Sequence, residues 1–323
     1  DNLLEVSHHG GGLIGQNTGG LVYGSNVQAL YINASNEECP YYGTTGGLIG
    51  EALDGEQSEG RILYSQANVT STISGFGIIG GLIGKNNAEV NNSQAITNLI
   101  DVDGASVGGL IGFNFNDGHY QSGRIEYSYA INSNKISGKG NVGGLIGKNG
   151  NFYELEKQES GENPICASNG VEDVNGYRFS GGEVEFSYVD GEVIYSHEAG
   201  HNLGGLIGSG WESRVQASYV DIDQSIFGEG YIGTSGTDLP VQNIGGFIGY
   251  AKESSIRSSY AHVGSIYGSY INVGGFVGKS EISTFMYNFA VSNVSGESPE
   301  GSCMDGGVDY TYMYPNEFDC NSV

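Results

Sequence analysis

The apolar positions of this chain fall in short clusters that return at a fixed distance. The phrase Gly-Gly-(Leu/Phe)-(Ile/Val)-Gly occurs eight times, starting at Gly11, Gly46, Gly80, Gly108, Gly143, Gly204, Gly245 and Gly274. After each copy comes a second phrase: an aliphatic or Phe residue, two others, a serine, one more residue, then Ala or Val. Its serine position holds Ser25, Ser65, Ser93, Ser128, Ser187, Ser218, Ser259 and, in the last copy, Asn288. A third apolar stretch, such as "KISG" at 135–138, closes the unit. The plain unit is about 28 or 29 residues: Gly245 to Ser259 is 14 and Ser259 to Gly274 is 15. That length predicts about three short strands per unit, with Gly, Asn and Asp turns between them. No stretch has the length and 3.6-residue period of a helix.

Strands this short cannot bury a face alone, and stacking like coils solves the problem. The pattern therefore predicts an all-β protein, a parallel β-solenoid (β-helix) of about eight coils. At about 4.8 Å per coil it makes a rod roughly 40 Å long. Residues 1–294 form the solenoid and 295–323 a C-terminal cap or tail. Insertions interrupt the plain coil near 34–44, 51–60, 113–123, 148–182 and 226–240. All border the Gly-Gly-Leu-Ile-Gly phrase, so they are expected to project near one side. They carry Tyr41, Tyr42, Tyr120, Tyr153, Tyr177 and Tyr231 among many acids, and such loops are where solenoids bind.

Stacking turns equivalent positions into ladders. Asn141, Asn202, Asn243 and Asn272 each precede a Gly-Gly by two residues and form a candidate amide ladder. The residue after the ladder serine is Tyr129, Tyr188, Tyr219, Tyr260 and Phe289 in the last five coils. Pointing outward, this stripe is a candidate surface for sugars or another protein; the alternative is stacking on itself. The Gly-Gly-Leu-Ile-Gly strand is odd. Strand alternation puts its Leu and Ile rows on opposite faces, and both are apolar. The outer face is then either covered by an insertion or a contact surface, and alternation does not say which row points inward.

Composition narrows the function classes. Glycine supplies 57 of 323 residues, yet there are only 5 prolines and no Gly-x-y period, so collagen is excluded. The 22 Tyr and 12 Phe exclude a disordered acidic chain. A net charge of −25 repels phosphate backbones and anionic membranes, which argues against a nucleic-acid partner. No apolar run is long enough to span a membrane as a helix. The chain opens "DNLLEV", without Met or a signal peptide, and reads as a mature protein or a fragment. About ten residues precede the first motif, which points to a longer parent chain or to an end that meets another subunit. Four cysteines suit an extracellular location. Cys303 and Cys320 enclose a short loop that a disulfide would close; Cys39 and Cys166 lie in two insertions, where a staple across coils is one option and free thiols the other.

At this point the eight copies, with their "SYA"-like partners, resemble the GLUG motif. That repeat builds large bacterial surface proteins, including adhesins and the non-catalytic parts of IgA-cleaving metalloproteases. The resemblance covers about residues 10 to 294 and implies a cell-surface building block. It carries over no catalytic residue.

One segment reads two ways. "HEAGHNLGGLIG" contains His-Glu-x-x-His at His197, Glu198 and His201, a zinc-protease signature that works only on a helix. The glycines at 200, 204, 205 and 208 make a poor helix, and the third histidine of the metzincin version falls on Ile207, the repeat's own isoleucine. The repeat explains everything after His201, so no metal site is assigned. Polysaccharide-cleaving β-helices need clustered Asp, and "DVD" (101–103) and "DID" (221–223) do not converge. Full Ca²⁺ loops are absent, leaving only weak Ca²⁺ binding by loop carboxylates and no cofactor. Four N-x-S/T sequons (Asn33, Asn68, Asn91, Asn293) matter only in a eukaryotic source. The expectation is a non-enzymatic extracellular protein, a surface adhesin or filament subunit. Its partners are other copies of itself, or a host or cell-surface protein or glycan. A β-helix enzyme or a protease built on His197, Glu198 and His201 is the alternative.

Overall fold

A computed structural model describes residues 3–5, 9–34, 43–55, 58–103, 106–118, 122–150, 180–196, 202–228, 243–269 and 272–297. Among these, every strand pairs in parallel with its equivalent one coil away, in four sheets. The third coil shows the plan: Ile78–Gly80 belongs to sheet 1, Ile83–Asn86 to sheet 2, Glu89–Asn91 to sheet 3 and Gln94–Val102 to sheet 4. Sheets 1, 2 and 3 have eight strands each. Sheet 4 has nine, because Leu3–Glu5 adds an extra strand beside Asn26–Ala34 of the first coil. The chain is thus a parallel β-solenoid of eight coils.

Each coil has four strands, one more than the spacing suggested, because Gly-Gly-Leu-Ile-Gly is a bend between two strands. The first Gly ends sheet 1 and the Ile begins sheet 2. At the bend two successive N–H groups donate to one carbonyl of the next coil: Leu82 N and Ile83 N both reach Leu110 O, at 2.9 and 3.0 Å. The glycines are explained by close approach. A Cβ on Gly80 would lie 2.0 Å from Ile83 O and 2.7 Å from Gly112 N of the next coil. A Cβ on Gly81 would lie 2.0 Å from Gly109 O. Sheets 1 and 2 therefore meet backbone to backbone, with no side-chain layer between their glycine faces.

This bend corrects the expectation of a strand with two greasy faces. Leu48, Ile49, Leu82, Ile83, Leu110 and Ile111 are all fully buried in one core. A bend turns both side chains inward where a straight strand would alternate them. The rows of Ile62, Val90 and Ile125 from sheet 3, and Ile73, Ile100 and Ile136 from sheet 4, complete that core.

The insertions leave the chain before sheet 1 and after sheet 2, two ends that lie together: Ile78 packs against Phe113 and Phe115, and His9 stands 3.7 Å from Glu51. Those near 51–60, 113–123 and 148–182 lie between sheets 2 and 3, whereas those near 34–44 and 226–240 lie between sheets 4 and 1. Asn116 and Ser180 bridge the fourth-coil insertion to the end of the fifth-coil one. The corner between sheets 3 and 4 is left-handed in every coil. It carries Gly24, Tyr64, Asn92, Tyr127, Phe186, Ala217, Ser258 and Tyr287, with φ from 47° to 59°. Seven of these are not glycine, and each of the six other than Asn92 costs about 1 kcal/mol or more of backbone strain.

Candidate functional site

The tyrosine stripe lies on sheet 4, in register across the last five coils. Ring centroids of Tyr129, Tyr188, Tyr219, Tyr260 and Phe289 follow at 4.7, 4.7, 5.2 and 5.2 Å, with planes within 11°. A stack this regular uses the ring faces internally; edges and hydroxyls remain for solvent. The surface is thus poorly suited to lay a sugar ring flat on any inner member of the row. Burial and the neighbouring rings of Tyr129 and Tyr219 push the Tyr188 hydroxyl up to about 12. A second aromatic row, Tyr195, Phe227 and Tyr267, runs along the other end of the same strands at 4.6 and 4.9 Å. Sequence reasoning missed it. The signal was there: a second aromatic recurs seven or eight residues after the first.

Between the two aromatic rows runs a polar one. Asp190, Asp221 and His262 stand level in successive coils, and Asp221 accepts or shares a 2.7 Å hydrogen bond with His262 Nδ1. Burial, then Asp221, Asp223 and Glu192, raise the carboxyl of Asp190 above its ordinary range. The "DID" acids thus do meet another acid, Asp190, through the coil spacing. Asp101 does not join them: it stands in the row of Ser137 and Tyr195.

The polar ladders are spent on the fold. Asn202 Nδ2 donates to Asn141 Oδ1 at 2.8 Å, Asn243 to Asn202 at 2.7 Å and Asn272 to Asn243 at 2.8 Å. In the serine row each backbone N–H donates to the hydroxyl of the next coil, as Ser93 does to Ser128 at 3.1 Å. That hydroxyl in turn donates to a carbonyl two residues back, Glu126 O at 2.8 Å. The row ends on Asn288, whose Oδ1 accepts from Ser259 N at 2.9 Å. A further buried amide ladder, Asn86, Asn114 and Asn149, runs inside sheet 2 at 2.8 and 2.9 Å. On sheet 3 the outward row alternates in charge: Arg61, Glu89, Arg124, Glu183, Arg214. Arg61 meets Glu89 at 2.7 Å and Arg214 meets Glu183 at 2.9 Å. Arg124 reaches Glu126 at 2.6 Å and Glu185 at 3.3 Å.

The zinc signature, the cysteines and the insertion tyrosines (His197, Glu198, His201, Cys39, Cys166, Cys303, Cys320, Tyr41, Tyr42, Tyr120, Tyr153, Tyr177, Tyr231) lie outside the described residues. Immediately after His201, Asn202–Gly204 is a sheet 1 strand, and Ile207 is fully buried in the core. A zinc-binding helix therefore does not continue into the repeat. No group of three or more His, Cys, Asp or Glu among the described residues is placed to hold a metal ion. No helix of the described residues is long and apolar enough to cross a membrane. Set against known proteins, the chain has no match among family models, curated proteins or solved structures.

Proposed function

We propose that this chain is a non-enzymatic extracellular scaffold of the GLUG-repeat kind, part of a bacterial surface adhesin or filament. The observation that carries this reading is the continuity of the ladders. Amide, hydroxyl, ring and charge rows are consumed in coil-to-coil bonds along the rod. Chemistry of that kind builds length and stiffness rather than a reactive centre. Binding then falls to the outer rows and the insertions, which face a host or cell-surface protein or glycan. Deleting residues 151–179 is expected to abolish adhesion of the labelled protein to cells while leaving its β-sheet circular dichroism and the Asn149 ladder intact. Adhesion that survives the deletion removes the insertion from the binding site. Turnover of polysaccharide that is lost in Asp190→Asn would overturn the non-enzymatic reading, as would casein cleavage with one tightly held zinc.

A filament is the second reading. Ten of the exposed large apolar residues sit on the first and last coils: Leu13, Leu21, Tyr23, Leu30 and Tyr31, then Ile282, Tyr287, Phe289, Val291 and Val294. Head-to-tail stacking of those ends would cover them and generate an open fibre. Negative-stain images are expected to show fibres that lengthen with concentration. A strictly monomeric profile at high concentration counts against this.

A further inference from the structure

The left-handed corner between sheets 3 and 4 holds a ridge of exposed rings that the fold does not need. Tyr64, Tyr127, Phe186 and Tyr287 occupy it with φ of 52°, 47°, 48° and 58°. They are 58%, 51%, 44% and 74% exposed. Glycine or asparagine suits such a backbone, and the first and third coils use them, as Gly24 and Asn92. A large ring placed there is strained and wet at once, which points from an outlier to a use.

The rings of this ridge are only partly paired, unlike those of the sheet 4 stack: Tyr64 meets Tyr23 edge-on at 5.5 Å. Tyr127 and Phe186 stack on each other at 5.0 Å and 6°. The coil before Tyr127 offers Asn92 at this corner, and the coil after Phe186 offers Ala217. Each end of the pair therefore faces a gap one coil high. Over Asn92, whose amide is turned onto Asn91, Tyr64 stands two coil heights (about 9–10 Å) from Tyr127. Carboxylates flank the ridge on its sheet 3 side. Glu126 and Glu185 lie on sheet 3, partly held by Arg124. On sheet 4 the acids Asp190, Glu192, Asp221 and Asp223 stand farther off, in the fifth and sixth coils beyond the tyrosine stack. A planar cation satisfies both the rings and the acids, and guanidinium is the planar cation of proteins.

We infer that the ridge formed by Tyr64, Asn92, Tyr127 and Phe186 docks arginine side chains of an extended basic polypeptide. The inference rests on the reading of the rod as an interaction scaffold and names one partner chemistry for it. Octa-arginine is the probe, with octa-lysine and cellohexaose as comparators, titrated into the full chain at about physiological salt. The variant is Y127G/F186G, in which glycine fits both backbones, so folding is not put at risk. Octa-arginine is expected to bind the unmodified chain more tightly than octa-lysine does. It should bind the variant at least tenfold more weakly, with no fall in the thermal midpoint. Equal binding by the variant, or equal binding of the two peptides, would make charge alone responsible and overturn the inference. Binding of cellohexaose without octa-arginine overturns it in favour of a glycan platform. A failure to bind octa-arginine overturns the inference but leaves the scaffold reading standing, since cell adhesion of the 151–179 deletion tests that separately.

Discussion

Glu51 shows how much a single side chain can ask of its neighbours. It is buried on sheet 2, with Lys85 Nζ at 2.8 Å, Gln16 Nε2 donating at 2.8 Å and His9 Nδ1 at 3.7 Å. Burial alone would raise its carboxyl; Lys85, with His9 and Gln16 behind it, outweighs burial and holds it below the ordinary carboxylate range. A lowered acid contributes stability in full above its ordinary value and loses it as pH falls through the folded one. Glu51→Gln is therefore expected to flatten the fall in thermal midpoint between about pH 5 and pH 3. At neutral pH it should cost about 2 kcal/mol, the usual worth of a charge-assisted hydrogen bond such as the one from Lys85. Urea denaturation at both pH values measures each part. Tyr188 offers the opposite sign at the alkaline end. Its raised hydroxyl contributes stability below about pH 10 that is lost as pH rises towards 12. An absorbance titration at the phenolate band is expected to show a late component that Tyr188→Phe removes.

At the scale of the element, the bend is the distinctive part. Its three glycines let two strands lie backbone on backbone, so a methyl group has nowhere to go. Gly81→Ala puts a Cβ 2.0 Å from Gly109 O and 2.9 Å from the Ala95 Cβ. It is expected to cost about 3 kcal/mol or more, by forcing the third and fourth coils apart. Gly24→Ala is the comparison. Its Cβ meets nothing within 4 Å and only the φ of 59° resists, so a loss of about 1 kcal/mol is expected. Equal losses from the two variants, by thermal denaturation, would mean that the bend is looser than its geometry implies.

The whole molecule is a one-dimensional stack, in which each coil touches mainly its neighbours. Residues 245–273 make one plain coil, from Gly245 to the residue before Gly274. Deleting them joins Ile244 to Gly274 and restores the same phrase. Ser218 then meets Asn288 as its ladder partner. The shortened chain is expected to fold with the same circular dichroism and a maximum dimension smaller by about 5 Å in X-ray scattering. Collapse of the fold instead would show that the coils are not interchangeable.

The eight-fold repeat, the parallel coils and the Asn and Ser rows could be read from the sequence, because a stack repeats in space whatever repeats along the chain. Period alone decides which residues share a row, and the spacing from Ser128 to Tyr129 does not depend on where the chain bends. Where the chain bends was left to the tertiary structure. Leu82 and Ile83 read as opposite faces of a strand until the backbone turned between them. The bend depends on Gly80 and Gly112 meeting across neighbouring coils, a contact no local pattern contains. In the same way Asp190 and Asp221 are 31 residues apart in the chain and level in the sheet. The sequence by itself determined the rows. Only the three-dimensional winding decided which faces those rows present, because facing is set by backbone direction at each corner, and a corner is a contact between coils.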